Sequence, residues 1–292
     1  MNYRHHFHAG NFADVMKHAL LVALLRALQN KPKGFLYLDT HAGRGGYDLA
    51  AAATGDSLGR TPEWPDGIGR LWQTVGGLPA AVATYLETVR EFDRRSGSID
   101  PGPRFYPGSP AIAQALARPV DRLACCELHP AECAALRHEL GGLPRVAIQE
   151  WDGYAALRAW LPPPERRALV LIDPPFEAQD EFARIAASLR EGLRRMPAAV
   201  FAVWYPLTVR ARADDFLAEV RLLAPPAALG CELTVAGDGS ALKLKGCGLL
   251  VVNPPWQFEA EAATILDFLA PFLRREPGAG ARVDWLVRES PR

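Results

Sequence analysis

The chain has 292 residues, 49% of them hydrophobic, which is enough for one large α/β domain or a domain carrying an insertion. No run of about 18 uncharged apolar residues occurs, so no transmembrane helix is expected, and residues 1–8 lack the apolar stretch of a signal peptide. The 33 basic and 33 acidic side chains cancel, so any nucleic-acid partner has to be met by a local basic patch. Candidate patches are Arg4 to His8 with Lys17, then Lys31 with Lys33, Arg90 with Arg94, Arg95 and Arg104, and Arg166 with Arg167. The cysteines Cys125, Cys126, Cys133, Cys231 and Cys247 show no paired spacing, so they predict core residues of a reducing, cytoplasmic compartment.

Residues 13–28 place Val15, Ala19, Val22 and Leu25 at helical spacing and predict an amphipathic helix capped by Asn11 or Asp14. Residues 35–38 predict a strand running into the loop Asp39-Thr40-His41-Ala42-Gly43-Arg44-Gly45-Gly46. Further strands follow at 123–126, ending at Glu127, at 145–148, leading to Asp152-Gly153, and at 168–172, ending at Asp173. A fifth covers 198–204 and ends at Tyr205-Pro206. Helical stretches such as 131–140 and 180–195 alternate with them, which implies parallel strands joined by crossover helices. Near the C-terminus, 231–235 and 248–252 read as paired strands, with 283–287 as another. In a plain βαβ unit the acid of the second strand lies about 20 residues past the glycine loop. Glu127 lies far beyond Gly45, so residues 49–107 are read as an insertion in a single domain. Helical periods at 68–73 and 80–92 make it a small helical subdomain above the active-site edge.

The glycine loop alone is a weak signal. It lacks the third glycine of a dinucleotide fingerprint, because position 48 is Asp, and it has no P-loop lysine. The ordered series carries more. Glu127 suits both hydroxyls of a ribose, and Asp152 suits the exocyclic amine of an adenine, with Gly153 leaving space for the ring. Asp173-Pro174-Pro175-Phe176 is a stiff hook, since each proline fixes φ and removes an amide hydrogen. Asp173 and the Pro174 carbonyl accept the two N–H groups of a planar amine while Phe176 stacks on its face. Asn253-Pro254-Pro255-Trp256 fits the same pattern but follows a terminal antiparallel strand. Asp173 is therefore expected to hold the target, and the second hook to be structural or a second wall of the pocket. A free Asp has a pKa near 3.9, too weak a base to deprotonate a neutral amine. The proton is expected to leave during or after transfer, with most of the rate coming from positioning. His5, His6 and His8 lack a fourth ligand at zinc-like spacing, so they predict no metal site.

The strings Tyr3-Arg4-His5-x-Phe7-His8-Ala9-Gly10-Asn11-x-Ala13-Asp14-Val15-x-Lys17-His18, Leu38-Asp39-Thr40-His41-Ala42-Gly43, Tyr106-Pro107-Gly108-Ser109-Pro110, Ile172-Asp173-Pro174-Pro175, Trp204-Tyr205-Pro206 and Asn253-Pro254-Pro255-Trp256 resemble the RlmJ family. Those are bacterial methyltransferases acting on N6 of one adenine in 23S ribosomal RNA. The resemblance implies a Rossmann-like class I methyltransferase sheet with a C-terminal antiparallel strand, S-adenosylmethionine as cofactor and S-adenosylhomocysteine as product. It implies cofactor contacts from His18, His41, Ser109, Glu127, Asp152 and Gly153, with Gly43 in the glycine loop and Lys17 beside the pocket. Asp173 becomes the proton acceptor and a further cofactor contact, and Tyr3 a contact to RNA, with Arg4, His5 and His8 beside it in an RNA-contacting arm. Phe176 departs from the family, which more often has Tyr there. The expected partner is 23S ribosomal RNA, with no membrane, and the expected state a monomer. The competing readings are a DNA-adenine or protein-glutamine methyltransferase, or a non-catalytic RNA-binding assembly factor of the same fold.

Overall fold

The computed structural model describes residues 7–51 and 61–289; the expected RNA contacts Tyr3, Arg4 and His5 lie outside that range. Asn11 starts the first helix, α1 (Phe12–Gln29), by accepting from the Ala13 and Asp14 amides, which have no partner inside the first turn. Asp14 is not the cap. It turns to the Gly10 amide and the Lys17 ammonium instead. The helix is not the amphipathic one its spacing predicts. Val15, Ala19, Val22 and Leu25 are buried, but so are Met16, Lys17, His18 and Leu24, because other elements cover it on nearly every side.

The chain then lays down β1 (Leu36–Asp39) and β2 (Gly46–Asp48). A 3-10 turn at Trp64–Asp66, α2 (Ile68–Leu71) and α3 (Ala80–Arg95) follow, before β3 (Phe105–Pro107) returns antiparallel to β2. This hairpin ties together the two ends of the segment expected as an insertion. Ile68, Leu71, Tyr85 and Val89 join the same apolar cluster as α1, so the described part of the segment has no separate core. Gly67 marks how closely it docks: a Cβ there would lie 2.1 Å from the Gly10 carbonyl oxygen.

The remaining elements are α4 (Ser109–Leu116), β4 (Arg122–Cys126), α5 (Pro130–Leu140), β5 (Val146–Gln149), α6 (Gly153–Trp160) and β6 (Ala168–Ile172). Then come α7 (Glu181–Arg195), β7 (Val200–Pro206), α8 (Arg210–Leu222), β8 (Ala228–Thr234), β9 (Gly246–Val252), α9 (Phe258–Leu273) and β10 (Gly280–Val287). The main sheet runs β10-β8-β9-β7-β6-β1-β4-β5. The strands from β7 to β5 are parallel, as the alternation of strands and helices implies. β6 is buried at all five positions, the pattern of a parallel strand covered on both faces. From β1 the chain moves outward to β4 and β5, then returns to the other side for β6 and β7. That reversal opens a crevice beyond the carboxyl ends of β1 and β6.

β9 runs antiparallel to both β7 and β8. Its carboxyl end therefore lies on the opposite edge of the sheet from the crevice, with Val252 paired to Phe201 near the start of β7. Asn253 donates to the Pro197 and Ala199 carbonyls at 2.7 Å each and closes that edge. The second hook is thus a structural connection and not a wall of the pocket. Among the described residues, no helix is long and apolar enough to cross a membrane.

Candidate active site at the carboxyl edge of the sheet

A cavity of about 1240 Å³ occupies the crevice. His8, His18, His41, Gly43, Ser109, Glu127, Asp152, Gly153, Asp173, Pro174 and Phe176 all stand on its wall. α1 and the loops after β1, β4, β5 and β6 bring together residues distant in sequence, His18 and His41 with Glu127, Asp152 and Asp173.

The β1 end carries Asp39, which is fully buried and accepts at 2.7 Å from both the Tyr37 and Ser109 hydroxyls. Burial pushes its pKa from 3.8 up to about 6, with Ser109 and Tyr37 opposing the rise. Asp39 had no assigned role in the sequence reading. Its position directly before the glycine loop was the available signal. The Ser109 hydroxyl proton is committed to this carboxylate.

His41 faces the cavity beside Tyr154, with ring centroids 4.8 Å apart. The Thr40 hydroxyl donates to the Leu171 carbonyl at 2.9 Å, so at its 2.8 Å contact with His41 it accepts the Nδ1 proton. The network thus assigns the Nδ1–H tautomer and leaves Nε2 as an acceptor. Burial lowers the His41 pKa from 6.5 to about 4, with Asp152 opposing and Arg184 adding to the shift. A depressed histidine contributes stability that is present above its ordinary pKa and lost as pH falls through the folded value. His41→Gln is therefore expected to remove on the order of 2 kcal/mol of acid sensitivity, the figure reduced for the ring's partial exposure to the cavity. Urea unfolding of both proteins at pH 7 and pH 4.5 measures it; equal pH slopes would refute it. Asp39 contributes the opposite slope, since its raised pKa costs stability as pH rises from about 4 to about 6. The single variant separates the two.

Glu127, just past β4, is held by two backbone amides: Gly43 donates to Oε2 at 2.9 Å and His129 to Oε1 at 2.7 Å. Burial raises its pKa and those two amides pull it back. Each oxygen keeps a lone pair for a ligand hydroxyl. Asp152 caps α6 through Oδ1, which accepts from the Tyr154 amide at 2.9 Å, while Arg184 stands 3.7 Å from Oδ2. Gly153 is required for a reason beyond room for a ring. A Cβ there would lie 1.8 Å from the Thr40 carbonyl oxygen, so the α6 terminus packs directly on the β1 loop. Gly153→Ala is expected to destabilise by about 2–3 kcal/mol, because backbone and not a flexible side chain must move. A thermal midpoint equal to wild type would contradict it.

The hook begins at Asp173. Its Oδ2 accepts from the Lys17 ammonium at 2.6 Å, and Lys17 also donates to Asp14 Oδ1 at 2.8 Å. Burial opposes the Lys17 charge, yet the two carboxylates outweigh it and hold its pKa well above the ordinary lysine value. Lys17 does not line the cavity; it reaches it only through Asp173. Phe176 adopts φ +52°, a left-handed conformation that is rare for an aromatic residue. Its ring meets Phe182 and Trp204 edge-on at 5.0 and 5.6 Å. Sequence reasoning missed this aromatic wall, as it did the Tyr154 hydroxyl donating to Glu181 at 2.6 Å with Arg184 stacked 4.5 Å over the ring. These residues come from α6, α7 and β7, and no local motif links them.

The basic patches are redistributed as well. Lys17 is buried, Arg90 donates to the Trp72 and Thr74 carbonyls, and Arg104 pairs with Asp48. Among the described residues, Arg44, Arg184, Arg212 and, between β8 and β9, Lys243 and Lys245 are the arginines and lysines that line the cavity. His8 stands on the same wall, 3.0 Å from Glu63. Among the described residues, no group of three or more His, Cys, Asp or Glu side chains is placed to hold a metal ion.

Residues 32–287 match the family described as RsmJ, Ribosomal RNA large subunit methyltransferase D, RlmJ. The chain is 38% identical to the Ribosomal RNA large subunit methyltransferase J of Escherichia coli, over 99% of this chain and 100% of that protein. It is 36% identical to the protein of the same name from Haemophilus influenzae, with the same coverage. The crystal structure of protein LPL1258 from Legionella pneumophila superposes with a TM-score of 0.84 at 32% identity, covering 97% of this chain and 99% of that one. The chain belongs to the RlmJ family of ribosomal RNA large subunit methyltransferases.

Proposed function

We propose that the protein is a cytoplasmic enzyme that methylates N6 of one adenine in 23S ribosomal RNA, using S-adenosylmethionine. The observation that carries this reading is the Asp173 carboxylate, held by Lys17 at the mouth of the same crevice that presents Glu127 and Asp152. The donor set fits the cofactor. Glu127 keeps acceptor capacity for a ribose diol, Asp152 for an adenine amine, and the wall is rich in carboxylates that favour a cation. When bound, S-adenosylmethionine supplies an electrophilic methyl group on a sulfonium.

The chain's own residues do the rest by positioning. Asp173 and the Pro174 carbonyl accept the two N6 hydrogens, which draws the amine nitrogen out of conjugation with its ring. Lys17 fixes the direction of the carboxylate. A carboxylate is too weak a base to act first on a neutral aromatic amine, so Asp173 takes the proton once N6 has become cationic. The target base has to leave its stack to reach the hook, and the ring of Phe176, backed by Phe182 and Trp204, offsets part of that cost.

Transfer of labelled methyl to unmodified 23S ribosomal RNA, duplex DNA and a protein substrate tests the reading. Label is expected in N6-methyladenosine from the RNA alone. Label confined to DNA or to glutamine would replace the substrate, and cofactor binding without transfer to any of the three would favour an assembly factor.

A further inference from the structure

The connection between β8 and β9, residues 235–245, rises from the same edge of the sheet as the hook. β9 starts where β7 ends: Pro206 pairs with Cys247, and the Leu207 amide donates to the Gly246 carbonyl at 2.9 Å. The two ends of the loop are pinned together, with the Val235 amide donating to the Lys245 carbonyl at 2.8 Å. Leu242 and Leu244 pack against the large apolar cluster that holds α1, and Lys243 between them is exposed. The Lys245 ammonium donates to the Asp238 carbonyl at 2.7 Å, which braces the loop and leaves two N–H groups. Both lysines line the cavity, as does Arg212 of α8, which lies 5.8 Å over the Phe182 ring.

Position in the sheet decides what these cations reach. The hook follows β6, while Glu127 and Asp152 follow β4 and β5 on the far side of it from β9. Strands lie about 4.8 Å apart, so β9 is roughly 10 Å from β6 but roughly 19–24 Å from β4 and β5. The four-carbon stem of a lysine does not cover the second distance. The loop thus stands on the target side of the hook. Trp204 links the two, with its ring 5.6 Å from Phe176 and its backbone paired with Leu249 of β9. The other cavity cations are on the cofactor side: Arg44 pairs with Glu132, and Arg184 with Glu181 and Asp152. Among the described residues, no carboxylate oxygen lies within 4 Å of Lys243, Lys245 or Arg212. The hook brings Asp173, already paired with Lys17, and the exposed Glu177 to that side. The local sign there is positive, although the chain as a whole is neutral.

An adenine drawn out of its stack into the hook keeps a phosphate on each side, outside the crevice. Contacts to those phosphates fix the register of the strand. We infer that the loop between β8 and β9, through Lys243 with Lys245 and Arg212 beside it, holds the phosphates of the RNA strand next to the target adenine. The inference rests on the RNA methyltransferase reading for its ligand. It assigns the strand a path over β9 and α8, away from the cofactor.

The salt dependence of RNA affinity tests it. Binding of unmodified 23S ribosomal RNA to the full-length protein is measured between roughly 50 and 200 mM salt. Each lost phosphate contact flattens the slope of log affinity against log salt by about 0.7–0.9, and near 0.1 M salt weakens binding about fivefold. Lys243→Ala is expected to show both, with KM for RNA raised by a similar factor and the single-turnover rate at saturating RNA within about threefold of wild type. Lys243→Arg is expected to restore the slope. Lys243 is exposed, so its replacement leaves the fold intact. Arg190→Ala removes an equal charge from the exposed face of α7 and is expected to leave the slope unchanged. An unchanged slope in Lys243→Ala, or the same flattening in Arg190→Ala, overturns the inference. So does an equal weakening of S-adenosylhomocysteine, which would place Lys243 on the cofactor. The two readings fail separately. Methyl transfer to RNA with an unaltered slope in Lys243→Ala removes the loop contact alone, and a flattened slope without methyl transfer by the wild type removes the methyltransferase reading alone.

Discussion

Asp173→Ala is expected to lower methyl transfer by roughly 10³-fold, within the range for losing a positioned acid–base group, while cofactor affinity stays within about threefold. The variant removes the acceptor for one N6 hydrogen and the destination of the proton. It should leave the fold intact, because Lys17 keeps Asp14 as its partner at 2.8 Å. Asp173→Asn is the sharper comparison. Its amide oxygen accepts one hydrogen bond but cannot take a proton, so slow transfer in Asn shows that proton acceptance matters, and restored transfer shows that orientation suffices. Single-turnover rates, measured with saturating cofactor and RNA, report the step. A rate within tenfold of wild type for the Ala variant would remove Asp173 from the mechanism.

Lys17→Met carries the second large effect, and it acts on stability as well as rate. Lys17 joins two carboxylates whose side chains are 4% and 17% exposed. Deleting the cation leaves the buried Asp14 charge without its ammonium, and breaking such a pair costs about 3–5 kcal/mol. The raised Lys17 pKa contributes stability that is fully present below 10.5 and is lost only above its folded value, so the deficit is complete at neutral pH. It should narrow as pH falls toward 4, because protonating a carboxylate that has lost its ammonium removes the buried charge. Adding Asp14→Asn should recover most of the stability and none of the turnover, since Asp173 still lacks the group that orients it. Urea unfolding of the single and double variants checks this. A loss below about 1 kcal/mol, or one independent of pH, would contradict the triad.

Much of the fold was readable from local pattern. An uninterrupted apolar run such as residues 168–172 has one stable environment, a strand covered on both faces, and it is found there. Acids placed directly after such runs fall together, because parallel strands share an edge. Glu127, Asp152 and Asp173 are therefore legible as one wall from their places after the strands, and they line one cavity. The Asn11 cap follows from the unmet amides of a first turn, which are the same in any helix.

What the local pattern left open depends on partners distant in sequence. Two hooks of the same chemistry are equivalent as strings; strand direction separates them, and the antiparallel pairing of β9 with β7 and β8 sends Asn253 to the far edge. The spacing of α1 suggested one apolar face, yet its environment is set by α9, α3 and α4 packing around it. Lys17 and Asp173 are 156 positions apart, and nothing in either neighbourhood names the other. The hydrogen bonds from Tyr85 through Tyr106 to His18 join three elements in the same way. Sequence by itself determined the period of each element, the order of the acids and the family, because those depend on neighbours along the chain. Tertiary structure alone decided the strand direction that assigned each hook and the ion pair and hydrogen bonds that tune the site, because burial and hydrogen-bond completeness are properties of the assembled chain.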